Sequence, residues 1–145
     1  MLVENRTFPI GSRSDVVVAA SQARRFAVAA GLPARRAMEL AIVVSELASN
    51  IVKHGVRGEI LLRIDWTAPP HGEVAVEARD EGPPIHDLEL AMTDGYDDRG
   101  PIDPARILGR GGLGTGLGAV ARLADHLDYS QREGGKTLIA RFRIG

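Results

Sequence analysis

The chain contains no cysteine. That excludes disulfides, iron–sulfur clusters, thiolate zinc sites and cysteine nucleophiles, and it is compatible with a reducing cytosol. A charge excess is missing as well: 18 Lys plus Arg stand against 19 Asp plus Glu, a formal net charge of -1. Dedicated nucleic-acid binders carry a basic surplus, so no nucleic-acid partner is expected. Apolar runs such as Ala41–Val44 are far short of the roughly 20 residues that cross a bilayer. The opening Met1-Leu2-Val3-Glu4-Asn5-Arg6 reaches charge before a signal-peptide core can form. The expectation is a cytoplasmic protein with no membrane partner. What the chain does have is 44% hydrophobic and 26% charged residues over 145 positions. That supports one domain, 1–145, with a buried core.

The hydrophobic pattern changes period along the chain. Leu2–Ile10 reads as a strand ending at Gly11-Ser12. Ser14 or Asp15 can cap a helix through Val16–Ala30 that stops at Gly31, and Pro33 suits the opening of a second helix reaching about His54. Ile60, Leu62, Ile64 and Trp66 then alternate with Leu61, Arg63 and Asp65, as Val74, Val76 and Ala78 do with Ala75, Glu77 and Arg79 before Asp80, with a Pro69-Pro70-His71-Gly72 turn between. These predict two antiparallel strands. A short helix is expected at Leu88–Met92, another near Leu117–Ala124, and two last strands at Leu127–Gln131 and Thr137–Ile144. Asp94–Gly118 holds eight of the 17 glycines and little apolar periodicity. The order predicts an α+β, two-layer α/β sandwich: a mixed, mostly antiparallel sheet with helices on one face.

Three places carry candidate chemistry. Glu46, Asn50 and His54 share one helical stripe at i, i+4 and i+8, with Glu39 near the same line. The stripe is either a solvated face or a carboxylate and an amide aimed into a cleft, as base and metal ligand. Asp80-Glu81-Gly82-Pro83-Pro84 ends a strand. A turn explains the glycine and prolines, but a carboxylate there can also accept from an exocyclic amine such as that of adenine. Gly109–Gly118 places six glycines in ten residues ahead of a helix, which suits phosphate oxygens better than a linker. Gly135-Lys136-Thr137 looks like the end of a P-loop, but Ser130 stands where that motif needs a glycine. Gly116-Leu117-Gly118-Ala119-Val120-Ala121 fits a relaxed dinucleotide fingerprint but follows a glycine-rich loop, not a strand. The protein-kinase signature set is missing.

Taken in order, Glu46-Leu47-Ala48-Ser49-Asn50, Asp80-Glu81-Gly82-Pro83, Gly112-Leu113-Gly114-Thr115-Gly116-Leu117-Gly118 and Gly135-Lys136-Thr137 resemble the boxes of the GHKL (Bergerat-fold) ATPase superfamily. The resemblance runs from about Ser14 onward. Within it, the chain is most similar to the anti-sigma regulatory factor and serine/threonine kinase group, in particular the RsbT-type switch kinases, with RsbW-type anti-sigma kinases as the rival. The resemblance implies ATP and Mg²⁺ as cofactors. Glu46 would be the catalytic base, and Asn50 would ligate the metal between the phosphates. Asp80 would receive the adenine amine beside Gly82, and Thr137 would support that contact. Gly112, Gly114, Thr115, Gly116, Leu117 and Gly118 would wrap the phosphates beneath a flexible lid at about 94–116.

Two departures from the pattern stand out. Pro84 replaces the second glycine of the D-x-G-x-G box, fixing φ near −65° and removing an N–H. The lid is long, and Arg99, Arg106 and Arg110 in it offer charge to phosphates, to a partner or only to solvent. The resemblance implies a serine/threonine protein kinase acting on a STAS-domain antagonist in a stress-response partner-switching pathway. A downstream sigma-factor regulator or a phosphatase would be a further partner. The alternatives are an RsbW-like anti-sigma factor, a non-catalytic ATP-dependent binding module, and ATP hydrolysis coupled to lid motion.

Overall fold

The computed structural model describes residues 4–54, 56–84, 96–97, 100–101 and 117–145. Strand β1 (Arg6–Ile10) leads into helix α1 (Arg13–Ala30), followed by α2 (Ala34–His54), β2 (Gly58–Ala68) and β3 (His71–Asp80). Two short strands, β4 (Tyr96–Asp97) and β5 (Gly100–Pro101), pair with each other. Helix α3 (Leu117–Leu123), β6 (His126–Arg132) and β7 (Gly135–Ile144) complete the order. The expected helix at Leu88–Met92 lies outside the described residues, as does the expected lid apart from β4 and β5.

Local chemistry sets the helix ends. Ser12, extended at φ −150°, accepts the Asp15 N–H through its hydroxyl, while the Asp15 carboxylate accepts from the backbone of Ser12 and Gly11. This reciprocal box starts α1 at Arg13, a turn earlier than the apolar pattern suggests. Asp15 is therefore the third helical residue and not the cap. Gly31, at φ 109°, closes the helix in the left-handed region that glycine enters without a Cβ penalty.

The main sheet has the order β1-β2-β3-β7-β6 and every pairing in it is antiparallel. The expected mixed sheet is thus corrected. After α3 the chain enters at the far edge as β6, and a tight hairpin then lays β7 antiparallel beside β3. Register puts Ile64, Val74 and Phe142 in one row, and Leu62, Val76 and Ala140 in the next. These rows face the helices, where Leu40, Val43, Val44 and Leu47 of α2 are fully enclosed. Arg36, at the start of α2, stacks 4.8 Å from the Phe142 ring centre. It also donates to the Leu123 carbonyl at 2.8 Å and to Asp125 at 3.0 Å, tying α2 to the end of α3. At the other end of α2, a Cβ on Gly58 would overlap the Ile51 side chain and lie 3.2 Å from the Arg79 carbonyl.

The opposite face of the sheet has no helix among the described residues and carries charge instead. Arg63 bridges Asp65 at 3.0 Å and Glu77 at 2.7 Å, and Arg79 also pairs with Glu77. Arg141 reaches Asp65 at 2.9 Å, Asp128 at 3.4 Å and Glu73 at 3.5 Å. Burial pushes the Asp65 carboxyl up, but hydrogen bonds from Arg63 and Arg141 outweigh it and hold Asp65 below its usual range.

Two outcomes follow from this packing. Gly58→Ala forces Ile51 or the helix to shift and should cost about 1–3 kcal/mol in denaturant unfolding, with an unchanged m-value. Asp65, with its lowered folded pKa, contributes stability above its unfolded value near 3.8 and loses it as the pH falls through the folded one. The unfolding free energy of Asp65→Asn should therefore fall less steeply than wild type below about pH 4 in an acid titration followed by circular dichroism.

Candidate functional site

Asp80 closes β3 on the helix-facing side of the sheet and is only 4% exposed. Strand alternation puts it in line with Val76 and Ala78. One carboxylate oxygen, Oδ1, accepts the Gly82 N–H at 2.7 Å, a local turn that bends the chain out of the strand. The same oxygen accepts from Lys136 Nζ at 2.9 Å, and Nζ also donates to the Pro83 carbonyl at 2.9 Å. Lys136 is the register partner of Asp80 on β7 and is 3% exposed. The close approach depends on the preceding residue, because a Cβ on Gly135 would sit 2.5 Å from the Asp80 carbonyl oxygen. Gly82 is buried beneath this turn, whereas Pro83 and Pro84 are exposed beyond it.

Glu46 and Asn50 stand one turn apart on α2. Glu46 is 5% exposed, between Val43 and Leu47, and Asn50 is half-buried. Ile51, next in sequence, packs on Gly58 beside the Arg79 carbonyl, so the last turns of α2 lie against the exit of β3. The stripe continues to His54, which is exposed. Glu39 pairs with Arg36 at 3.4 Å and Arg35 at 3.9 Å on the helix's own surface.

Thr137 is not brought to Asp80. It occupies the outward phase of β7, opposite Arg79, and its hydroxyl accepts from Arg132 at 2.8 Å. Successive strand residues point to opposite faces, so the inward neighbour Lys136 takes the place expected of Thr137. Leu117 and Gly118 are buried at the start of α3, Leu117 as part of the hydrophobic core. Gly112, Gly114, Thr115 and Gly116 lie outside the described residues, as do Arg99, Arg106 and Arg110.

Lys136 is the residue that motif reading passes over. Its signal is nevertheless present: Leu138, Ala140, Phe142 and Ile144 form the apolar phase of β7, and Lys136 extends that phase with a charge. A lysine is almost never fully buried without a partner.

The donor set fits the groups that the sequence resemblance implies. Glu46 and Asn50 present hard oxygen atoms, which suit Mg²⁺ held by few protein ligands together with phosphates. Among the described residues no group of three or more His, Asp or Glu could hold a metal alone. The Asp80 carboxylate is the kind of acceptor an exocyclic amine needs. Its pairing has a measurable consequence. Removing one partner of a buried ion pair leaves an uncompensated charge, so Lys136→Met should cost about 3–5 kcal/mol in denaturant unfolding. The double variant Asp80→Asn, Lys136→Met should recover most of that loss in the same assay.

The histidine kinase-like ATPase domain family matches residues 12–142 of this chain. The chain is 30% identical over 125 residues to the serine/threonine-protein kinase RsbT of Bacillus subtilis (strain 168), over 86% of this chain and 85% of the relative. Among solved structures it is similar to the SiaB–SiaC complex from Pseudomonas aeruginosa, with a TM-score of 0.53 at 19% identity. That match covers 98% of this chain and 90% of the other, and at this identity it speaks to the fold. A match over nearly the whole length, on a five-stranded antiparallel sheet backed by helices, places this chain in the histidine kinase-like ATPase domain family.

Proposed function

We propose that this chain is an ATP- and Mg²⁺-dependent serine/threonine protein kinase of a partner-switching pathway, with a STAS-domain antagonist as acceptor. The observation that carries the reading is the 30% identity to RsbT across 86% of the chain, with Glu46 and Asn50 held one turn apart on α2. A buried carboxylate on a helix is costly to keep for structure alone, which favours a chemical role for Glu46.

When bound, Mg²⁺–ATP supplies the phosphoryl group. Asp80 accepts from the base, with the Gly82 N–H keeping its carboxylate oriented. Asn50 provides an amide oxygen to the metal. Glu46 accepts the proton of the acceptor Ser or Thr hydroxyl as its oxygen attacks. By the sequence resemblance, the glycines at 112, 114, 116 and 118 would offer backbone N–H groups to the phosphates. Phosphorylation adds charge to the acceptor's surface and so releases or recruits partners, the physical basis of a switch. The partner chain named with SiaB is a further reason to seek a protein acceptor.

The test is transfer of label from γ-labelled ATP to a purified STAS-domain protein. Wild type should transfer phosphate. Glu46→Gln keeps size and hydrogen bonding but removes the base, so it should bind ATP and acceptor near normally while transfer falls roughly 10²–10⁴-fold. Wild-type transfer by the variant would dismiss Glu46 as the base. Tight ATP binding with no transfer by wild type would leave an ATP-dependent binding module.

A further inference from the structure

Lys136 has no part in the mechanism above, yet its ammonium lies 2.9 Å from the carboxylate that the mechanism assigns to the base. A carboxylate alone can only accept hydrogen bonds. It can read the 6-amino group of adenine, and its lone pairs repel the 6-oxo group of guanine. An ammonium beside it changes that chemistry. Lys carries three N–H donors, of which Asp80 Oδ1 and Pro83 O take two among the described residues. Asp80 Oδ1 takes the bonds from Gly82 and Lys136, so the second oxygen is the acceptor with remaining capacity.

We infer that Asp80 and Lys136 act together as an acceptor–donor pair that reads the edge of a purine, and that the site takes guanine nucleotides as well as adenine nucleotides. The inference rests on Asp80 being the base-reading residue. An adenine edge presents the 6-amino donor beside the N1 acceptor. A guanine edge presents the O6 acceptor beside the N1–H and 2-amino donors. A carboxylate next to an ammonium complements either edge, but in opposite order, so guanine is read by the fixed pair with the base turned over relative to adenine. Guanine adds one further donor toward the carboxylate. Both protein groups are held by backbone contacts, Gly82 N–H on the acid and Pro83 C=O on the base. They are therefore fixed before a ligand arrives, which limits the ordering cost of recognition.

Equilibrium titrations of the whole chain with ATP, GTP and ITP in the presence of Mg²⁺ test this. GTP should bind within about ten-fold of ATP, and ITP, which lacks the 2-amino donor, more weakly than GTP. ATP binding with GTP weaker by more than that margin overturns the inference and leaves the adenine role of Asp80 standing. Lys136→Met removes the donor, and in the folded variant GTP should lose at least about ten-fold relative to ATP. An unchanged ratio overturns the inference. Should this variant fail to fold, the wild-type order of the three nucleotides decides. If folded wild type binds none of the three, the inference and the kinase reading fall together.

Discussion

Helix α2 lies against β1, β2 and β3, against α1 and against α3, so most of its circumference is enclosed. That single burial organises the domain. Leu40, Val43, Val44, Leu47 and Ile51 fill the space between sheet and neighbouring helices, and each such side chain contributes about 1.5–3 kcal/mol when taken from water. The same enclosure sets a severe condition on polar residues. Glu46 sits inside it, where a carboxylate is tolerated only with compensation. At the end of this helix, the fit of Ile51 onto Gly58 fixes how closely α2 approaches the exit of β3. Packing of an apolar helix thereby determines where two polar groups stand.

The two faces of the sheet solve different problems. The helix side is apolar up to the last row, where Asp80 and Lys136 replace hydrophobic side chains by a matched pair of charges. Such a pair gives little net stability over a hydrophobic substitute, since desolvation offsets attraction. On the other side, the stems of Arg63, Arg79 and Arg141 cover the strands while their guanidinium groups share the carboxylates of Asp65, Glu73, Glu77 and Asp128. Long cationic side chains perform there the covering work that helices perform opposite.

Much of this was legible in the sequence, for identifiable reasons. The two long helices follow from apolar spacing over many turns, and the β2–β3 hairpin from alternation on both sides of Pro69-Pro70-His71-Gly72. Asp80 at a strand exit was visible because an acid interrupts an apolar phase. Boundaries were less legible. Ser12 competes with Ser14 and Asp15 for the cap, and only the reciprocal bonds of the box decide between them. The position of β7 beside β3 depends on pairing between residues 56 or more apart, which no local pattern encodes. Thr137 and Lys136 show the limit most sharply. A motif matched by residue type favours the threonine, whereas the phase of the strand, counted back from Leu138 and Ala140, selects the lysine.

Strand β7 is the last described element in chain order and yet sits between β3 and β6 in the sheet. Two local hairpins, β2–β3 and β6–β7, can each form from neighbours in sequence, but the β3–β7 seam joins segments far apart in the chain. Non-local seams close late, because their loop-closure entropy must be met before their contacts form. Until then the hydrogen-bonding edge of β3 stays unsatisfied and open to foreign strands. The acid and the amine at Asp80 and Lys136 come from opposite sides of that seam. Their meeting therefore coincides with the end of assembly, so a chain stalled before closure holds the acid and the amine apart, each without its partner.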